Sequence, residues 1–348
     1  MAGLMIDRVS KCFGEQQAVD SLSLDIEPGE FVALLGPSGC GKTTMLRMLA
    51  GFEALSEGEI RLGERTLASR ELHVPPEQRN MAMVFQSYAL WPHMSVADNV
   101  GYPLKLRRLE GDAYRRRVAQ ALSLVDLASH AGRSPQELSG GQRQRVALAR
   151  CLVTDPDVVL LDEPLANLDR HLRAAMEQSF REFHRRTRAT MIYVTHDQSE
   201  AMSLADRIAV MRGGRLEQWA TPEALYRRPR SAWVASFIGQ GSLLQVAAGR
   251  PGQRLDEHTL MHGLAAVASE RVQPVLVRPE HVTVLPDASA QRGLRARVES
   301  VTFRGERHEL HLRLASGESL VAYHHAALVE GESVELTLHQ GWCLEPEA

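Results

Sequence analysis

Cysteine is sparse in this chain, and what there is stands apart. Cys12, Cys40, Cys151 and Cys343 form no C-x-x-C pair, which excludes a disulfide framework and suits a reducing cytosol. Aromatic residues make up only 5% of the chain against 44% hydrophobic, so an ordinary globular core is feasible. There is no excess of basic charge. Lys+Arg number 40 against 43 Asp+Glu, a net charge of −3, which gives non-specific nucleic-acid binding no electrostatic footing. No apolar run approaches the length of a membrane span. The first residues show no basic segment leading into an apolar stretch, so no signal peptide is expected. Any role at a membrane is therefore expected to come through a partner. The length of 348 residues suits two or three domains.

Against these absences one stretch stands out. Gly36, Pro37, Ser38, Gly39, Cys40, Gly41, Lys42 and Thr43 fit G-x-x-x-x-G-K-[ST]. The apolar run 31–35 before it reads as a buried strand, and 44–50 after it as a helix. That context makes the pattern a phosphate site. Glycines let successive N–H groups point into one concavity, and the helix start adds partial positive charge. Lys42 is expected to reach the β- and γ-phosphates, Thr43 to offer its hydroxyl to Mg²⁺, and Thr44 to join the phosphate contacts. Cys40 reads as a small filler in the loop. The loop is not repeated, so one chain carries one such site.

Stretches 4–9 and 22–26 read as short strands around a turn at Gly14, 57–61 as an edge strand, and 81–85 as an apolar strand ending at Gln86. Helical character runs over 96–128, with Val118, Ala121, Leu122 and Val125 near helical spacing. Arg107, Arg108, Arg115, Arg116 and Arg117 cluster there and read as a solvated face. The continuously apolar runs 157–161 and 190–194 suit central parallel strands, and helices alternate with strands up to about Phe237. This rhythm indicates an α/β domain over 4–235, with a helical subdomain at about 87–155. After Gly239 short alternating strands predict a small all-β barrel over 240–348, with the boundary near 236–242.

Two carboxylates, Asp162 and Glu163, follow the second apolar strand. Ligands bind at such strand ends in open α/β sheets. Asp162 is expected to hold Mg²⁺ and Glu163 to polarise the attacking water. Ser139, Gly140 and Gly141 form a second helix start suited to an anion, although Ser there also serves as an N-cap.

The run 138–145, Leu-Ser-Gly-Gly-Gln-Arg-Gln-Arg, resembles the signature motif of ATP-binding-cassette (ABC) proteins. With it, the whole chain resembles the ATPase subunit of an ABC importer, a P-loop NTPase core followed by an OB-like TOBE barrel. The phosphate loop matches Walker A, 158–164 Walker B, Gln86 the Q-loop, 166–169 the D-loop and His196 the switch histidine. Residues 277–281 and 299–305 carry the looser TOBE likeness.

The resemblance implies roles. ATP is the nucleotide. Gln86 joins Thr43 and Asp162 on Mg²⁺, and His196 bonds the γ-phosphate. Phe13 stacks on adenine, where the family usually has Tyr. Asp169 crosses to the opposing subunit, and Ser139, Gly140, Gly141 and Gln142 bind the ATP held by Lys42 of that subunit. The implied assembly is a head-to-tail homodimer beneath two membrane-spanning permease subunits, at the cytoplasmic face of the cell membrane. A solute-binding protein acts indirectly, and no nucleic acid is involved. Likeness around 87–101 and 196–200 leans toward ferric iron or polyamine as the solute. A soluble ABC ATPase acting on nucleic acid or ribosomes is the alternative, but no heptad run separates Lys42 from Ser139. His308, His311, His324 and His325 read as surface strand histidines rather than metal ligands.

Overall fold

A computed structural model describes residues 3–85, 87–166, 170–265, 272–285 and 293–345. The contacts divide the chain into two compact units, Met1–Pro222 and Glu223–Ala348.

The first unit opens with a hairpin, β1 (Leu4–Phe13) and β2 (Gln16–Ile26), turning at Gly14. The strands run further than their apolar cores suggest, because polar residues such as the half-buried Lys11 and the exposed Gln17 continue the ladder. β3 (Phe31–Leu35) follows, then the phosphate loop and α1 (Lys42–Ala50). β4 (Glu57–Leu62) and β5 (Arg65–Ser69) complete a four-stranded antiparallel sheet in the order β2-β1-β4-β5. β4 is therefore an interior strand rather than the expected edge; β5, too short and polar to announce itself, covers it.

β6 (Met81–Val84) leads into three helices, α2 (Val96–Leu106), α3 (Gly111–Leu124) and α4 (Gly140–Leu152). On α3 the expected apolar stripe is buried and the arginines lie on the exposed side. Then come β7 (Val158–Asp162), α5 (Arg170–Thr187), β8 (Thr190–Thr195), α6 (Gln198–Leu204), β9 (Arg207–Arg212) and β10 (Arg215–Ala220). The second sheet has the order β10-β9-β3-β8-β7-β6, parallel except at β10. Burial on both faces explains the unbroken apolarity of β3 and of the middle of β8.

α1 lies between the sheets. Its Met45, Leu46 and Leu49 share one buried cluster with Leu4, Ile6 and Leu24 of the antiparallel sheet and Leu160, Ile192 and Val194 of the parallel one. Arg79 closes its far end. This fully buried guanidinium donates to the carbonyls of Met48 at 2.6 Å, Leu49 at 2.9 Å and Val74 at 2.7 Å. Burial holds its pKa down to about 10, still charged at neutral pH.

The second unit comprises α7 (Pro222–Arg227), α8 (Ala232–Phe237), β11 (Ser242–Val246), β12 (Arg254–Asp256), α9 (Glu257–Ala265), β13 (Gln273–Val277), β14 (Val282–Leu285), β15 (Leu294–Phe303), β16 (His308–Leu314), β17 (Ser319–His324), β18 (Ser333–Leu338) and β19 (Gln340–Cys343). Two antiparallel sheets, β11-β13-β19-β12 and β14-β18-β15-β16-β17, enclose one core. The ends of the five-stranded sheet approach each other, so the barrel is nearly closed. α9 is an unexpected helix within it, seated through the buried Leu260.

The units part earlier than the expected 236–242. Arg278 explains this: its guanidinium donates to the carbonyls of Tyr226 at 2.8 Å and Gln240 at 2.7 Å, and stacks over the Tyr226 ring. Trp342 adds a bond to the Pro229 carbonyl at 3.1 Å. These long-range ties fasten 223–240 to the barrel.

Arg79→Met should strand the carbonyls at the end of α1 and cost about 2–4 kcal/mol of stability, measured by urea unfolding of the full chain. A midpoint and slope equal to the parent would refute the cap.

Candidate nucleotide site

The loop between β3 and α1 is shaped by what its glycines face. A Cβ on Gly36 would collide with the Met211 carbonyl and one on Gly41 with the Ala18 carbonyl. Gly41 is also left-handed, φ 100, as the N-cap of α1. Lys42 is buried and donates to the carbonyls of Gly36 at 2.7 Å and Pro37 at 3.0 Å. The Cys40 thiol lies 3.8 Å from its ammonium, and burial pushes that thiol's pKa up.

Sequence reasoning missed the turn between β9 and β10. Gly214 accepts from the Asp20 N–H at 2.9 Å and donates to the Cys40 carbonyl at 3.2 Å. The available signal was the Gly213-Gly214 pair after an apolar run. This turn buttresses the loop from behind.

A cavity of about 530 Å³ runs along the loop, lined at one end by Phe13, Gln16 and Ala18 and at the other by Lys42, Thr43 and Glu163. Ser38, Gly39 and Thr44 also line it. Phe13 is half exposed, with the Lys11 ammonium 4.8 Å from its ring centre. It offers a flat apolar face and no hydrogen bond.

Thr43 Oγ1 donates to Asp162 Oδ1 at 3.3 Å. Burial raises the pKa of Asp162, partly offset by that hydrogen bond. A partly desolvated carboxylate beside a hydroxyl is a donor set that suits a hard divalent cation. Glu163 follows in a left-handed conformation, φ 43, fixed by its N–H donating to the Val194 carbonyl at 3.0 Å. Its Oε1 lies 3.4 Å from His196 Nδ1. Carboxylate, imidazole and phosphate loop thus converge.

Ser139 is not among the residues lining this cavity. It is the exposed N-cap of α4, with its hydroxyl accepting from Gln142 N–H at 3.3 Å while Gln142 Oε1 accepts from Ser139 N–H at 2.9 Å. Gly140 is partly exposed and Gly141 buried in the same first turn. The other end of α4 carries Arg150, which donates to the carbonyls of Tyr88 at 2.8 Å and Ala89 at 2.7 Å. Both are left-handed, φ 60 and 45. Trp91 is partly buried, its ring 5.0 Å from the Arg150 guanidinium and 4.4 Å from the Tyr102 ring. Asn99 anchors it through both backbone groups of Trp91. Gln86 and Asp169 lie outside the described residues.

Comparison with known proteins supplies the family. The family model described as ABC transporter matches residues 19–166, and the TOBE domain model matches 275–344. The spermidine/putrescine import ATP-binding protein PotA of Thermobifida fusca is 42% identical over 334 residues, 92% of this chain and 85% of that protein. The sn-glycerol-3-phosphate import ATP-binding protein UgpC of Ruegeria pomeroyi is 43% identical over 317 residues, 90% and 87% of the two chains. Among solved structures, the dimeric ATP-binding cassette MJ0796 in a post-hydrolysis state bound to ADP and Pi is 30% identical. That match has a TM-score of 0.55 and covers 63% of this chain and 98% of that one. The chain therefore belongs to the ABC transporter family, among the import ATPase subunits that carry a TOBE domain.

Proposed function

We propose that two copies of this chain pair head-to-tail and hydrolyse ATP at sites each copy completes for the other, driving solute import through two membrane-spanning subunits. One observation carries the reading: Lys42, Thr43 and Glu163 line the cavity, while the second helix start suited to an anion, at Ser139, is exposed and lies outside that lining. The dimeric cassette among the similar structures supports the pairing.

Phe13 stacks on the base, and the N–H groups of 38–44 cradle the phosphates. Lys42 exchanges its carbonyl partners for phosphate oxygens, the stronger charge-assisted bond. Thr43 and Asp162, joined by Gln86, would hold Mg²⁺, which when bound neutralises phosphate charge. Glu163 accepts a proton from the attacking water, and His196 holds the γ-phosphate. Ser139, Gly140, Gly141 and Gln142 of the twin close over that phosphate, and Asp169 crosses between the copies. Phosphoryl transfer needs positioning and electrostatic stabilisation more than covalent help. Dividing the donors between two chains makes turnover conditional on closure.

The contact with the membrane subunits is the face around Phe52 and Phe85, 54% and 39% exposed with rings 6.2 Å apart, together with the exposed His93. The assembly lies at the cytoplasmic face of the membrane, a reading supported by relatives named as import ATP-binding proteins. Relatives named for polyamine import support the polyamine reading, while others are named for trehalose/maltose and glycerol-3-phosphate. Ferric iron draws no support from these names. Uptake assays with a deletion strain and labelled solutes assign the cargo.

Glu163→Gln should lower turnover by at least about a hundredfold yet leave an ATP-bound dimer visible by size-exclusion chromatography; parental turnover would remove Glu163 as the base. Activity per molecule should fall on dilution, and Ser139→Ala should lower it at every concentration. Constant specific activity with Ser139 dispensable would overturn the shared site. In the assembled transporter, Phe52→Asp with His93→Asp should abolish import while the isolated subunit keeps its ATPase activity. Import at the parental rate would exclude that face.

A further inference from the structure

Beside the cavity lies a group of buried polar residues that the reaction above does not use. Glu200, only 3% exposed, accepts from the Tyr193 hydroxyl at 2.8 Å and from the Thr195 hydroxyl at 2.7 Å. Thr195 in turn accepts from the Asp197 N–H at 3.0 Å. Asp197 caps α6, accepting from Ser199 N–H at 2.8 Å and Glu200 N–H at 3.3 Å. His196 sits in the middle of this turn, its own side chain exposed toward Glu163 at 3.4 Å. The imidazole is thus located by its neighbours' backbone and carboxylates.

One cation spans the turn. Arg173, in the first turn of α5, donates from Nη1 to Asp197 Oδ2 at 3.1 Å and places Nε 3.7 Å from Glu200 Oε1. A second link between the helices, Ser203 Oγ to Glu177 Oε2 at 2.9 Å, keeps α5 and α6 in register. Arg173 thus bonds Asp197 and lies within ion-pair range of Glu200, the two carboxylates that follow His196. In sequence it stands four residues after Asp169.

We propose that Arg173 and Glu200 are positioning residues for His196, tying the start of α5 to the turn that presents the imidazole to Glu163 and the γ-phosphate. This rests on the roles given to Glu163 and His196 above. A displacement at the start of α5 is passed to His196, so the segment that meets the twin also sets whether this chain's own site is in register. The guanidinium hydrogen-bonds one carboxylate, Asp197, while its charge faces the other, Glu200.

The test is a double-mutant cycle on the full chain, read by single-turnover release of labelled phosphate from ATP. Arg173→Met should slow release by about tenfold with ATP affinity within about twofold of the parent, and Arg173→Lys should recover part of the loss. In a His196→Ala background, Arg173→Met should cost less than about twofold more, because the group it positions is gone. An equal factor in both backgrounds, or parental release by Arg173→Met alone, overturns the proposal. Should Arg173→Met fail to fold, Glu200→Gln replaces it in the same cycle, keeping an acceptor for both hydroxyls while removing the charge that faces Arg173. If His196→Ala alone turns over at the parental rate, it is the role of His196 that fails.

Discussion

The structure of the first unit depends on the fixing of one helix. α1 presents the phosphate-binding N–H groups at its start, and a helix start is an anion site only where its position is exact to a fraction of an ångström. Each end of α1 is therefore held by a glycine that tolerates a left-handed backbone, Gly41 at φ 100 and Gly51 at φ 84, each approached too closely for a side chain. Along its length, Met45, Leu46 and Leu49 are gripped by two different sheets. Arg79 takes up the terminal carbonyls that no helix can satisfy internally. The antiparallel sheet, which contributes only Phe13 and its neighbours to the cavity, acts mainly as the second jaw of this clamp.

On the parallel sheet the controlling feature is register. Asp162 pairs with Val194 and Leu35 with Thr195. Three adjacent strands therefore end level, delivering the phosphate loop, the two carboxylates and His196 to one edge. Glu163 adds a local distortion. A left-handed non-glycine residue costs about 1–3 kcal/mol, and it persists because its N–H is tied to the Val194 carbonyl. The distortion turns the carboxylate toward the imidazole instead of continuing the strand.

Much of this was legible in the sequence because it is local. The strand before the phosphate loop matches residue for residue, and β7 and β8 lie within a residue of the apolar runs. Burial on both faces keeps the middle of each strand apolar. What escaped depends on distant partners. The boundary between units moved to Pro222 because Arg278 and Trp342 reach back to carbonyls that no local pattern marks. α9 was hidden because its short apolar stripe lies among strands of similar composition. The packing of Trp91 was invisible because an aromatic in a loop gives no hint of a guanidinium arriving from residue 150. The Gly213-Gly214 turn carries no chemistry of its own and matters only for what it supports.

That guanidinium joins two ends of the problem. α4 begins at Ser139 and ends beside Arg150, and Arg150 holds the two left-handed residues that follow the Gln86 segment. Two consecutive residues in that conformation are costly, so the loop has little freedom to yield by itself. Whatever moves Tyr88 or Ala89 must either break two hydrogen bonds to a buried cation or carry α4 with it. The second course leaves both of those hydrogen bonds intact. A push from a membrane subunit on the face beside Phe85 would then reach the twin's nucleotide through one short rigid helix, with no long chain of side-chain rearrangements needed between them.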